Sequence, residues 1–184
     1  MDLHGNKLET SEYVGNPAGF ALHSAVHEAR EDINCLIHTH TTAVSAVAQK
    51  VRGFTHDDFY GAQLYGRVGY HIFEGITLFD DEKSRMVASL GDKHVLVLRN
   101  HGIAVGESSI EKALFLAWTV QRAAENQCAA GALGGEDHML EHGIAAKCAG
   151  LTAMLIRESG FATQFFSAMV RKMSDERGLH WGVV

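Results

Sequence analysis

A single proline, Pro17, is all the chain has, so no later helix or strand carries a proline break. The three cysteines, Cys35, Cys128 and Cys148, are odd in number and widely spaced, and they form no CxxC pair. That excludes a disulfide framework and a cysteine-rich zinc ribbon, and they read as reduced packing residues. The longest apolar runs, HVLVLR (His94 to Arg99) and ITLF (Ile76 to Phe79), fall far short of the roughly 20 residues a membrane helix needs. No membrane partner is expected. The opening MDLHGNKLET has neither the basic nor the apolar region of a secretory signal, which makes the cytoplasm the expected address. Positive charge is scarce: 16 Lys and Arg stand against 22 Asp and Glu, a formal charge of −6. No basic block is interleaved with aromatics, so nucleic acid is not an expected partner.

What is present is ordinary globular material, 46% hydrophobic and 21% charged, of a length suited to one domain over residues 1–184. A short hairpin is expected around His4 to Asn6. Asn16 then reads as an N-cap with Pro17 at the first helical position, and Phe20, Leu22, Ala25, Val26 and Ala29 recur at helical spacing up to Arg30. EDIN (Glu31 to Asn34) breaks that pattern before a buried strand at Cys35, Leu36 and Ile37. A helix over residues 41–50 follows, capped by Thr41 or Thr42. RVGYHIF (Arg67 to Phe73) reads as a strand. Asp80 to Leu90 reads as a helix capped by Asp80 and stopped by Gly91, and HVLVLR as a strand buried on both faces. NHG (Asn100 to Gly102) breaks the chain and IAVG extends it. A capping box of Ser108 with Glu111 then opens a long helix to about Ala130. Two amphipathic helices, about His138 to Glu158 and Phe161 to Ser174, and a tail containing Trp181 complete the chain. Strands and helices interleave up to about residue 110, which implies an α/β sheet layered with helices.

Twelve histidines are an unusual supply, and two of them stand one residue apart in IHTH, where a strand gives way to a helix. Strand residues i and i+2 project to one face, so His38 and His40 can aim at one point while Thr39 points away. Two readings fit this pair: metal ligands, or two hydrogen-bonded imidazoles. A catalytic metal site takes three protein ligands with open positions for water or substrate. His101 is the best third candidate, because it follows the other strongly apolar strand on a loop where Gly102 permits close backbone approach. A rival pair, His23 and His27, lies four residues apart on one helical face, without the glutamate that an HExxH site requires.

Three segments, NPAGFALHSAVHEAR (residues 16–30), CLIHTHTTAVSAVAQ (residues 35–49) and VLVLRNHGIAVGESSIEKAL (residues 95–114), resemble the class II aldolase/adducin family, especially its adducin-like bacterial branch. The likeness runs on to FFSAMVRKMSDERG (residues 165–178). The resemblance implies an α/β/α sandwich around a largely antiparallel sheet, assembled as a homotetramer with sites at subunit interfaces. It also implies that His38, His40 and His101 hold a divalent metal, with Zn²⁺ the first choice and Fe²⁺ or Mn²⁺ the alternatives. Two departures accompany it. Aldolases of the family carry a catalytic glutamate where this chain has Gly19. Members also carry an N-terminal segment ahead of the part resembling DLHGNKLET, so the domain is expected to be N-terminally incomplete.

The chemistry expected is that of a metal-dependent lyase acting on a small hydroxy-carbonyl or oxo-acid substrate, by aldol cleavage or decarboxylation through a metal-stabilised enolate. Without a carboxylate at position 19, proton transfer falls to metal-bound water, His23, Tyr60, Tyr65, Tyr70 or His71, of which His23 and Tyr70 are the catalytic candidates. The competing reading is an inactive adducin-like interaction module. Animal adducins work through a lysine-rich tail, and LHWGVV is not one.

Overall fold

The computed structural model describes residues 1–76 and 80–178, apart from the Asp80 side chain. Expectations for Thr77 to Phe79, for an Asp80 cap and for Trp181 fall outside the described residues. Four strands form one sheet in the order β1-β4-β3-β2: β1 (Cys35–Thr39), β2 (Val68–His71), β3 (Val95–Leu98) and β4 (Gly102–Glu107). β4 pairs antiparallel with both β1 and β3, while β2 and β3 run parallel. The sheet is thus largely antiparallel, as expected.

Helices cover both faces because β3 and β4 alternate apolar residues to both sides. Val95, Val97, Ile103 and Val105 pack on one face with α2 (Thr42–Ala48) and α5 (Ile110–Leu133), through Val44, Val47, Leu116 and Val120. Leu96, Leu98 and Ala104 pack on the other with α1 (Pro17–Ala29) and α4 (Asp80–Leu90), through Leu22, Val26, Met86 and Leu90. α3 (Phe59–Gln63), α6 (His142–Glu158) and α7 (Phe161–Arg177) gather beside α5, where Phe115, Ile156 and Ala162 form a third cluster with Trp118 and Phe165. Among the described residues, no helix is long and apolar enough to cross a membrane.

Local chemistry explains both the matches and the corrections. Asn16 caps α1, its Oδ1 accepting from the Ala18 N–H at 3.1 Å, and Gly91 at φ +55° ends α4. No hairpin forms at His4 to Asn6. The Asp2 carboxylate accepts the His4 and Asn6 N–H groups at 3.0 and 2.8 Å, which takes the donors a ladder would use. Thr41 occupies the N-cap position of α2 without a capping bond, because its hydroxyl is turned to Gln121. Ser109, not Ser108, caps α5, accepting from the Lys112 N–H, while the Ser108 hydroxyl accepts from Lys112 Nζ. β2 is shorter than the apolar run suggests, and α6 starts at His142 because the Leu140 N–H is held by Asp57. α7 continues past Ser174 to Arg177, where Gly178 closes it. The five-residue α3, capped by Asp58, was not foreseen.

Gly69 is where α4 meets β2: a Cβ there would overlap the Ser89 carbonyl and stand 3.3 Å from Leu90 Cα. Gly69→Ala is therefore expected to lower stability by about 1–3 kcal/mol by overpacking. Gly150→Ala, whose Cβ meets nothing within 4 Å on α6, is expected to raise it by up to about 1 kcal/mol. Urea denaturation of both variants checks this contrast, and equal midpoints would contradict the packing described.

Candidate metal and substrate site

β1 ends at Thr39, so His38 is its last inward residue on the α1 face and His40 lies just past the strand. Register places His38 opposite Ala104, and the ring Nδ1 donates to the Ile103 carbonyl at 2.8 Å. That bond fixes the tautomer and leaves the Nε2 lone pair pointing outward, the arrangement metal-ligating histidines use. His40 Nε2 lies 2.7 Å from His38 Nε2.

His101 reaches the pair from the turn between β3 and β4. Asn100 adopts φ +59°, a left-handed conformation that asparagine tolerates, and its N–H donates to the Ala48 carbonyl at 3.2 Å. The His101 N–H donates to Leu98 O at 3.1 Å and its carbonyl accepts from Ser45 Oγ at 3.1 Å, so the turn is tied to β3 and α2. Gly102 allows the close approach: a Cβ there would strike the Thr39 carbonyl and stand 2.7 Å from His40 Cδ2. The His38 and His40 ring centroids each lie near that of His101, at 5.1 and 4.5 Å, and one nitrogen from each of the three rings lies within 4.8 Å of the others. Burial, followed by the neighbouring imidazoles, brings the His38 pKa down to about 4 and lowers that of His101. Those two rings are therefore neutral at pH 7, the form that binds a divalent ion.

The triad opens on a cavity of about 510 Å³ walled by α1, α4, the end of β3 and the segment after β2. Gly19 lines it, as do Asn16 and Asn100. His23 sits half-buried on α1, close enough to His38 to contribute to lowering its pKa, but it is not a lining residue. Its neighbour His27 is engaged with the Ile33 carbonyl at 3.0 Å. Tyr70 stands apart from the triad within this chain. It pairs with Val97 on the opposite face of the sheet, its hydroxyl accepts from the Phe54 N–H at 3.0 Å, and its ring stacks under Arg99 at 4.3 Å. Within this chain it does not reach the histidines. Tyr60 packs edge-on to Trp118 and Tyr65 contacts His142, both away from the cavity. His71 is buried behind the cavity wall, bonded to Ser89 at 3.1 Å and to the Glu82 carboxylate at 3.3 Å. The sequence reading missed Phe73, Met86 and Asn100 as cavity residues. Only Asn100 left a signal, as an asparagine ahead of His-Gly in a chain break.

Residues 1–128 match the family described as Class II Aldolase and Adducin N-terminal domain. A Pseudomonas aeruginosa protein named for aldolase class 2 is 35% identical over 178 residues, covering 96% of this chain and 69% of that protein. Human beta-adducin is 31% identical over 195 residues, covering 99% of this chain and 27% of its own length. The crystal structure of an aldolase II superfamily protein from Pseudomonas syringae superposes with a TM-score of 0.89 at 32% identity, covering 96% of this chain and 71% of that one. The chain belongs to the class II aldolase and adducin family.

Gly19 is the third residue of α1, and a Cβ there meets the Asn16 side chain only at ordinary contact, 3.8 Å. A carboxylate at this position can reach back to the cap and favours the helix N-terminus. Gly19→Glu is expected to stabilise the fold by about 0.5–1 kcal/mol. Thermal unfolding checks it, and a lower melting temperature would show that the cavity wall does not admit the side chain.

Proposed function

We propose that this protein is a metal-dependent lyase that cleaves a carbon–carbon bond next to a carbonyl, by retro-aldol cleavage or decarboxylation of a small hydroxy-carbonyl or oxo-acid substrate. The observation that carries the reading is the convergence of three imidazole nitrogens at the mouth of a ligand-sized cavity, with the His38 tautomer set by the Ile103 carbonyl. The donor set suits zinc, with Fe²⁺ or Mn²⁺ as alternatives, and His38, His40 and His101 would hold it. A divalent ion bound there supplies Lewis-acid polarisation of the substrate carbonyl.

The chain's own residues do the rest. The bond to Ile103 keeps the His38 ring from rotating and holds its proton at Nδ1, which leaves Nε2 as the ligating nitrogen. The Asn100 turn fixes His101, and the apolar walls exclude water from the carbon that changes charge. With glycine at position 19, no carboxylate stands on the α1 wall, so proton transfer is assigned to a water in the cavity or to His23. Cytoplasmic location and a homotetramer belong to the same proposal. A second reading, an adducin-like module without catalysis, is favoured by Gly19 and by the similarity to beta-adducin.

Metal analysis after gel filtration distinguishes the two. The lyase reading predicts one equivalent of divalent metal, lost in His101→Ala and retained in His27→Ala. It also predicts that Gly19→Glu raises a weak retro-aldol rate, since a positioned general base is worth about 10²–10⁴-fold. A metal-free protein, or metal retained by a His38→Ala/His40→Ala double variant, would favour the module.

A further inference from the structure

The turn that carries His101 is gripped from the opposite face of the sheet. Val95 and Val97 of β3 pack toward α2, and Arg99, two residues past Val97, reaches Tyr70 on that same side. The Arg99 N–H donates to the His71 carbonyl at 2.8 Å, which prolongs the parallel pairing with β2. Its guanidinium lies over the Tyr70 ring, 4.3 Å from the centroid, and forks onto the chain just past α2. Nη1 donates to the Lys50 carbonyl and Nη2 to the Val51 carbonyl, the second at 3.0 Å. Tyr70 is held in turn, because its hydroxyl accepts the Phe54 N–H at 3.0 Å and its ring lies where a Cβ on Gly53 would be. A planar guanidinium can stack on an aromatic face and fork onto two acceptors at once, and a cation suits the carbonyls at a helix C-terminus.

α2 connects this grip to the metal ligands. It starts at Thr42, two residues after His40. Along its length the Ser45 hydroxyl donates to the His101 carbonyl at 3.1 Å, and the Ala48 carbonyl accepts the Asn100 N–H at 3.2 Å. One short helix therefore sets both where His40 leaves the strand and where His101 arrives. Arg99 supplies the charge-assisted part of that hold, and such bonds are the stronger ones.

Resting on the metal reading above, we propose that Arg99 is a positioning residue for the metal site: seated on Tyr70, it clasps the His101 turn to the end of α2 and so fixes the spacing of His101 from His40. It acts from behind the sheet, and its effect reaches the ion through the backbone of Asn100 and His101. Two imidazoles hold a divalent ion weakly, so the placement of the third decides the affinity. Groups that orient a metal ligand from behind commonly contribute about 10–100-fold in metal affinity.

Zinc affinity of the full chain, measured by competition with a chromophoric chelator, tests this, with the visible spectrum of the Co²⁺-loaded protein as a second readout. Arg99→Ala is expected to bind zinc about tenfold or more weakly than the wild-type chain and to alter the Co²⁺ bands, because a displaced His101 changes the ligand field. Arg99→Lys, which can bond one carbonyl but cannot both fork and stack, is expected to fall between the two. Ile156→Val, in the separate cluster of α5, α6 and α7, is the control: it is expected to lower the urea midpoint yet leave zinc affinity within about twofold of wild type. A loss of zinc affinity in Ile156→Val equal to that in Arg99→Ala would reduce Arg99 to general stability and overturn the inference. So would zinc binding at wild-type strength by Arg99→Ala, or by Arg99→Lys should the alanine variant not fold, while His101→Ala loses the metal. A wild-type chain that binds no zinc, or a His101→Ala variant that binds it as tightly, would instead strike at the metal reading itself, and the inference would fall with it.

Discussion

The close approach of the β3–β4 turn to the end of β1 is the constraint on which the site depends. Antiparallel pairing of β1 with β4 sets His38 opposite Ala104 and brings its ring to the Ile103 carbonyl. A one-residue slip would send His38 to the α2 and α5 face and separate it from His101. The register is protected because both faces of β4 are buried, with Val105 and Ala104 committed to different clusters. Gly102 and Asn100 complete the arrangement. One has no Cβ to strike the Thr39 carbonyl, and the other turns the backbone through a left-handed conformation.

The two-faced core makes that turn rigid. Ser45 on α2 holds the His101 carbonyl, and Ala48 on the same helix holds the Asn100 N–H, so a helix packed on one face positions an imidazole that opens to the other. The opposite wall is set by α4 lying against Gly69 and by the His71–Glu82–Ser89 bonds beneath it. A buried carboxylate and imidazole there are satisfied by each other and by a hydroxyl, as burial of polar groups requires. They shape the cavity without lining it.

Much of this was legible in the residues. Alternation in CLIHTH, the buried run before Asn100 and the glycine after His101 each carry a local geometric meaning, and together they pointed to one three-histidine cluster. The α1 cap was legible for the same reason, since Asn16 and Pro17 act within one turn. Failures arose where side chains chose nonlocal or competing partners. Asp2 captured the donors of an expected hairpin, and Gln121 drew Thr41 away from its cap. The cavity wall at Phe73 and Met86 comes from segments separated in sequence, and no local period announces such a juxtaposition.

Family membership fixes the scaffold, and the cavity beside the three histidines is walled by Gly19 and Leu22 of α1 and Met86 of α4. The three imidazoles are the chemical centre of the proposed site. X-ray absorption spectroscopy of the zinc-loaded protein tests that centre most directly. The account predicts a first shell containing three imidazole nitrogens at about 2.0–2.1 Å, reduced to two in His101→Ala. A shell dominated by sulfur or carboxylate oxygen, or one unchanged by loss of His101, would contradict it.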